Sequence, residues 1–196
     1  GTAAYNNVYS TSLRDAFRGD RGSVSLLIAA ASSGVWTDNS TRLTFGLRVN
    51  ASNYVQIQKS STNVLAGEYC AGGTLKTFGS SAAGYAHLRP DDTEWHHVAV
   101  TWDKARDRMR FYWHGAQAGP DQTGLGTWSG TIASTQSVVG ALTTGAAFWS
   151  GRIAHVAVFD RELTRAEMQQ AAGIYYRPSL LGFGDSVTVG VGATGE

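Results

Sequence analysis

The side chains of this chain that could do chemistry are few, and their spacing limits what they can do. Ser186 stands in Leu180-Leu181-Gly182-Phe183-Gly184-Asp185-Ser186, ahead of the alternating Val187, Val189 and Val191. A serine hydroxyl is a poor nucleophile at neutral pH unless a base takes its proton and a third group orients that base. The histidines available are His87, His96, His97, His114 and His155, all in or just before strand-like segments. His96 and His97 are strand neighbours that point to opposite faces, so they cannot chelate one ion. His97 and His114 fall opposite each other in a hairpin, but zinc needs further ligands that the sequence does not identify, which leaves a structural histidine pair. Cys70 is the single cysteine, which excludes an internal disulfide and cysteine-rich zinc sites. The glutamates Glu68, Glu94, Glu162, Glu167 and Glu196 include no pair at a spacing of two or four within a strand, so the paired carboxylates of glycoside hydrolysis are not in evidence. The tryptophans are more informative. Trp36 (followed by Thr37, Asp38 and Asn39), Trp128 and Trp149 sit beside turns and small polar residues. An indole in a loop, flanked by amide and carboxylate groups, is suited to stacking on a sugar ring, and Trp36, Asp38, Asn39, Trp128 and Trp149 are the candidate carbohydrate-binding residues. The competing reading is that each indole plugs one end of the core, since large aromatics are mostly buried.

The elements that must position these groups are strands. In Glu94-Trp95-His96-His97-Val98-Ala99-Val100-Thr101-Trp102, a period of two places Val98, Val100 and Trp102 on one face. After a polar bend over residues 103–107, Met109, Phe111 and Trp113 share a face, and Arg108, Arg110, Tyr112 and His114 take the other. Folding the runs so that Trp102 faces Met109 merges the apolar faces into an antiparallel hairpin buried on one side. A slip of one residue would drive both arginines into the core. Residues 23–30 read as a strand and residues 43–49 and 54–59 as a second hairpin, while 66–84 reads as two weak strands with long loops. Residues 1–14 read as a first edge strand, and 135–140 as a later one. One helix is legible: Thr164-Arg165-Ala166-Glu167 is a capping box, Gly173 is placed to end the helix, and Leu163 and Met168 seat it on the core.

Two blocks together resemble the laminin-G-like, concanavalin-A-like lectin jelly rolls. The first is Trp95-His96-His97-Val98-Ala99-Val100-Thr101-Trp102-Asp103 with the aromatic strand ending at Gly115. The second runs from Trp149-Ser150-Gly151-Arg152-Ile153 through Phe159-Asp160-Arg161-Glu162-Leu163 to Met168. The resemblance implies an all-β fold, a two-sheet antiparallel jelly-roll sandwich with one short C-terminal helix. Relatives of this kind often bind calcium, and Asp20, Asp38, Asp121 and Asp160 are the loop-placed oxygen donors that could do so. The acidic pair that many relatives carry after Gly-x-Ile is replaced here by Ala154-His155. The stretch around Ser186 resembles the first block of SGNH/GDSL hydrolases, which would make Ser186 a nucleophile. That family's Asp-x-x-His block does not occur before Glu196, so Ser186 would act only if a downstream domain completed the site.

The chain of 196 residues, 42% hydrophobic, is long enough for one good core. A formal charge of +1 with no basic stripe gives no sign of a nucleic-acid partner. No apolar run approaches the roughly 20 residues of a membrane helix. The domain expectation is a jelly roll over residues 1–176, followed by residues 177–196 as a linker and a truncated SGNH start, or as a final strand. The functional expectation is a non-catalytic, lectin-like module that binds a glycan or polysaccharide, within a larger secreted or phage-type protein, extracellular or virion-associated. Two further readings stay open: an assembly module of a virion or fibre, as a homo-oligomer or part of a larger particle, and the accessory part of an SGNH esterase.

Overall fold

The computed structural model describes residues 5–79, 90–142 and 146–176, with side chains to residue 173. The order of elements is β1 (Asn6–Asn7), α1 (Thr11–Ala16), β2 (Arg21–Ala30), a 3-10 turn (Ser33–Trp36), β3 (Arg42–Asn50), β4 (Asn53–Lys59), β5 (Leu65–Ala71), β6 (Thr74–Gly79), β7 (His96–Asp103), β8 (Arg108–Trp113), β9 (Ala116–Gln122), β10 (Ser137–Val139), β11 (Gly151–Phe159) and α2 (Arg165–Tyr176). The strands form two antiparallel sheets, β1-β10-β3-β4-β5-β6 and β11-β2-β7-β8-β9, the all-β sandwich with one C-terminal helix that the patterning predicts.

The hairpin of β7 and β8 has the expected register: Trp102 lies opposite Met109, Val100 opposite Phe111 and Val98 opposite Trp113. Their inward side chains meet Phe45, Ile57 and Tyr69 of the other sheet in one core. Full burial of each such side chain contributes about 1.5–3 kcal/mol. The expectation of one buried side was too modest, because every residue of β7 is buried. Leu163 and Met168 from the C-terminal segment cover Ala99 and Tyr112 on the outer face and make a second small core. The sheets pack closely at Gly67, where an added Cβ would lie 2.2 Å from Val100 and 2.7 Å from Phe111.

Three local expectations are corrected. Among the described residues before Arg14, only Asn6 and Asn7 pair as a strand; α1 then begins on Ser10, whose Oγ accepts the Leu13 amide at 3.0 Å. The small-residue region 66–84 contains a tight hairpin rather than long loops, because Gly72 and Gly73 take φ of 55° and 80° and close a two-residue turn between β5 and β6. The capping box forms, with Thr164 N–H donating to Glu167 Oε2 at 2.8 Å and Glu167 N–H to Thr164 Oγ1 at 3.3 Å, but α2 continues past Gly173 to Tyr176.

Candidate functional site

The sequence-predicted carbohydrate residues do not assemble into one site. Trp128 lies at the end of the sandwich where β2 begins, its ring packed between Phe17 and Tyr69 and its Nε1–H donating to the Gly130 carbonyl at 3.1 Å. Trp36, Asp38, Asn39 and Trp149 lie at the other end of β2, about 30 Å away at 3.3 Å per strand residue. Trp36 has no exposed surface. Its ring centroid is 5.3 Å from that of Trp149, and its N–H donates to the Asp92 carbonyl at 2.8 Å. It is a plug for the core, and stacking of a sugar on its face is corrected. Asp38 and Asn39 knot a strand end: Asp38 accepts from Lys59 Nζ at 2.6 Å and from Arg42 at 2.5 and 2.9 Å, while Asn39 exchanges hydrogen bonds with Asn63. Those cations hold the Asp38 carboxyl far below the usual carboxylate range against its partial burial.

Trp149 is the predicted residue that reaches a cleft. Its indole is 7% exposed, and its N–H turns inward to the carbonyls of Ala29 and Arg152, both at 3.3 Å. It forms the floor of a shallow hollow of about 170 Å³ lined also by Tyr5, Asn6, Val139, Gly140, Gly151 and Ile153. The hollow lies along the seam of the sandwich, where the edge pair β1–β10 of one sheet faces the edge strand β11 of the other. Tyr5 stands at its rim with 37% of its surface exposed and its ring centroid 6.1 Å from that of Phe148. Asn7 spends its side chain on Ser134 and Tyr9, whereas Asn6 leaves its amide without a partner among the described residues. The cleft therefore offers an aromatic rim, an indole floor and an amide that can both donate and accept. Tyr5 and Asn6 were missed because only long-range pairing, Asn6 to Val139 and Gly151 to Ala30, brings them to Trp149.

The histidines are placed differently from the sequence reading. His97 and His114 do face each other through the backbone, with His114 N–H donating to His97 O at 2.9 Å. His114 has a left-handed φ of 50°, however, and its ring swings to His96, with Nε2 3.1 Å from His96 Nδ1. His96 Nε2 is 2.7 Å from Asp92 Oδ1, so the pairing is Asp92–His96–His114, stacked against Trp113. His97 instead accepts the Gly115 amide on Nδ1 at 3.3 Å and lies 2.9 Å from Ser25 Oγ through Nε2. This serine–histidine pair has its proton on Nε2, donated to Ser25, so the imidazole cannot serve as a base toward that hydroxyl. Both residues are also fully buried. His155 sits exposed at a bulge of β11 with φ 51°, rather than within the closing strand's packed face.

The carboxylates proposed for calcium do not converge. Asp121 is held by Arg110 at 2.6 and 2.8 Å and Asp38 by Lys59 and Arg42, which leaves Asp20 and Asp160 as exposed acids. Among the described residues no group of three or more His, Cys, Asp or Glu side chains is gathered to hold an ion, these four included. A cationic cluster is the other feature that sequence reasoning missed. Glu162, its side chain 3% exposed, receives Arg108 Nε and Nη2 at 2.9 and 2.7 Å, Arg106 Nη1 at 3.1 Å and Arg110 Nη1 at 3.4 Å. Ser186 lies outside the described residues, with the whole of 177–196.

Comparison with known proteins agrees with the architecture. The family described as the concanavalin A-like lectin/glucanases superfamily (Laminin_G_3) matches residues 6–169. No curated protein matches the sequence. The CBM40 module of the Ruminococcus gnavus IT-sialidase is 16% identical, with a TM-score of 0.58 over 79% of this chain and 84% of that one. A heptameric SAP-like pentraxin from Limulus polyphemus is 17% identical, with a TM-score of 0.56 over 81% of this chain and 73% of that one. The NanB sialidase of Streptococcus pneumoniae superposes with a TM-score of 0.62 at 15% identity, over 86% of this chain and 26% of that one. At these identities the likeness concerns the fold. Nothing in the comparisons supports the SGNH resemblance of residues 180–193.

Proposed function

The chain belongs to the concanavalin A-like lectin/glucanase superfamily, and from that premise we propose that it is a non-catalytic glycan-binding module whose sugar contact is the seam cleft of Tyr5, Asn6 and Trp149. The observation that carries the reading is an exposed aromatic ring beside an unspent side-chain amide, over a hollow floored by an indole. A pyranose has an apolar face for stacking and hydroxyls that both donate and accept, and those are the complementary groups. The glutamates are otherwise employed: Glu68 holds Gln56 and Gln58, Glu162 sits among arginines and Glu167 closes the capping box. Among the described residues no carboxylate lines the cleft, which supports binding without hydrolysis. The CBM40 relative was solved with α2,3 and α2,6 sialyllactose, so sialylated glycans are the first ligands to try.

The module belongs to a larger secreted or virion-associated protein. Among the described residues no helix is long and apolar enough to cross a membrane. A shallow hollow with one stacking ring gives affinities of about millimolar to tens of micromolar. The test is a glycan array followed by titration of the strongest hit. Tyr5→Ala and Asn6→Ala are each expected to weaken binding about tenfold or more, with the melting temperature unchanged. A wild-type array that stays blank with and without calcium would refute the glycan reading in favour of an assembly module.

A further inference from the structure

From the cationic cluster we infer that the chain carries a second binding site, a carboxylate-recognition cleft between β8 and the start of α2 that takes the acid group of an acidic sugar. The cleft has a volume of about 260 Å³ and is lined by Arg106, Arg108, Arg110, Glu162, Leu163, Thr164 and Arg165. Four guanidinium groups meet three carboxylates there: Glu162 within the cleft, and Asp103 and Asp121 at its sides, bonded to Arg106 and Arg110. One cation is left unmatched. The donors are also underspent. Arg108 uses Nε and Nη2 on Glu162 and keeps Nη1 without an acceptor. Arg106, with a 60% exposed side chain, uses its backbone amide and Nη1 but neither Nε nor Nη2. Arg165 is exposed and has no partner among the described residues.

The cradle's preference is visible in what already occupies part of it. Glu162 takes Arg108 in a two-point fork, the geometry in which guanidinium groups recognise carboxylates. The unspent N–H groups of Arg106, Arg108 and Arg165 repeat that chemistry toward the opening of the cleft. On the same outer face, Thr101 Oγ1 is buried without a hydrogen-bond partner among the described residues. The volume is below that of most ligand pockets and admits a single ring with its acid group rather than a chain. That a sugar carries the carboxylate rests on the glycan-binding reading; recognition of the carboxylate does not. The site lies on β8 and α2, not on the β1–β10 and β11 edges that make the seam cleft, so the two are separable.

The experiment is an NMR titration of the full chain, labelled with nitrogen-15, with glucuronate, glucose and acetate in turn. Glucuronate is expected to shift the amides of residues 106–110 and 163–165 and to bind more weakly as salt is raised. The double variant Arg106→Gln/Arg165→Gln leaves Arg108 and Arg110 on Glu162; with a melting temperature like that of the wild type, it should lose about tenfold or more in affinity. Glucose should leave these amides unmoved, and Tyr5→Ala should bind glucuronate as the wild type does even if it has lost every neutral sugar. Glucuronate binding that survives the double variant, or shifts confined to the seam cleft, would overturn the site. Acetate binding as tightly as glucuronate at the same amides would overturn the assignment to a sugar acid.

Discussion

His97 sets a measurable acid limit on this fold. The ring is fully buried and its surroundings are built for the neutral form: Nδ1 accepts the Gly115 amide, and Nε2–H donates to Ser25 Oγ. Protonation would place a second N–H against the Gly115 N–H and a charge in the dry interior. Burial, with His114 nearby, accordingly lowers the His97 pKa from 6.5 to about 4. In the unfolded chain the imidazole takes a proton near its ordinary pKa, so between the two values the unfolded state binds more protons. Stability from this residue is therefore full above the unfolded value and is lost as pH falls toward the folded one. The loss amounts to about 2 kcal/mol by about pH 5 and about 3 kcal/mol by the folded pKa. Asp38, Asp92, Asp107, Asp121 and Glu167 all titrate low in the folded state, Glu167 at about 2, so their stabilising contributions decline only at more acid pH. His114 is also lowered to about 4 but is exposed, and solvent discounts its share. Urea unfolding of wild type and His97→Gln between neutral pH and about pH 5 separates these terms. The wild type should lose about 2 kcal/mol more than the variant over that interval. Parallel stability curves would refute the assignment of His97 as the buried neutral histidine.

Two further substitutions test the packing that positions both clefts. Gly67→Ala puts a methyl 2.2 Å from Val100 and 2.7 Å from Phe111 in the closed core, and should cost about 1–3 kcal/mol in denaturant unfolding; an unchanged midpoint would show that the sheets can part there. Thr164→Ala removes the capping hydroxyl of α2 and should cost about 1 kcal/mol, read as a lower melting temperature.

Alternation of side chains is legible in the sequence, and whatever alternation alone determines can be read there. Arg108 and Arg110 share a parity opposite to Met109 and Phe111, so the β7–β8 register follows from the order of residues. The burial of the hairpin's other face does not follow, because Leu163 and Met168, which cover Ala99 and Tyr112, come some fifty residues later. His114 escapes the period-of-two reading because a left-handed φ at the strand end turns its ring to the other side. The tryptophans are recognised by type, but a residue beside a turn can still be turned inward, as Trp36 is. Tyr5 carries the same signal as those tryptophans, an aromatic beside amides. It lacks a partner nearby in sequence, since the edge pairing that seats it joins residues more than a hundred positions apart.

The cationic cleft also explains why this hairpin tolerates so much charge on a buried face. A buried carboxylate among arginines is poor value as pure stabilisation, because desolvation of the ions offsets most of their attraction. Its effect here is on geometry. Arg106, Arg108 and Arg110 reach Glu162 from the hairpin, and Glu162 lies directly before Leu163 and the capped start of α2, so the ion cluster fixes where the C-terminal segment lands. The alternation that sends Met109 and Phe111 into the core sends Arg108 and Arg110 to Glu162. A slip of one residue would bury guanidinium groups in the main core and strand Glu162 without counterions. The register of β8 thus ties the core, the docking of α2 and the unspent N–H groups of the cleft to a single arrangement, so that the cleft exists only in the correctly packed sandwich.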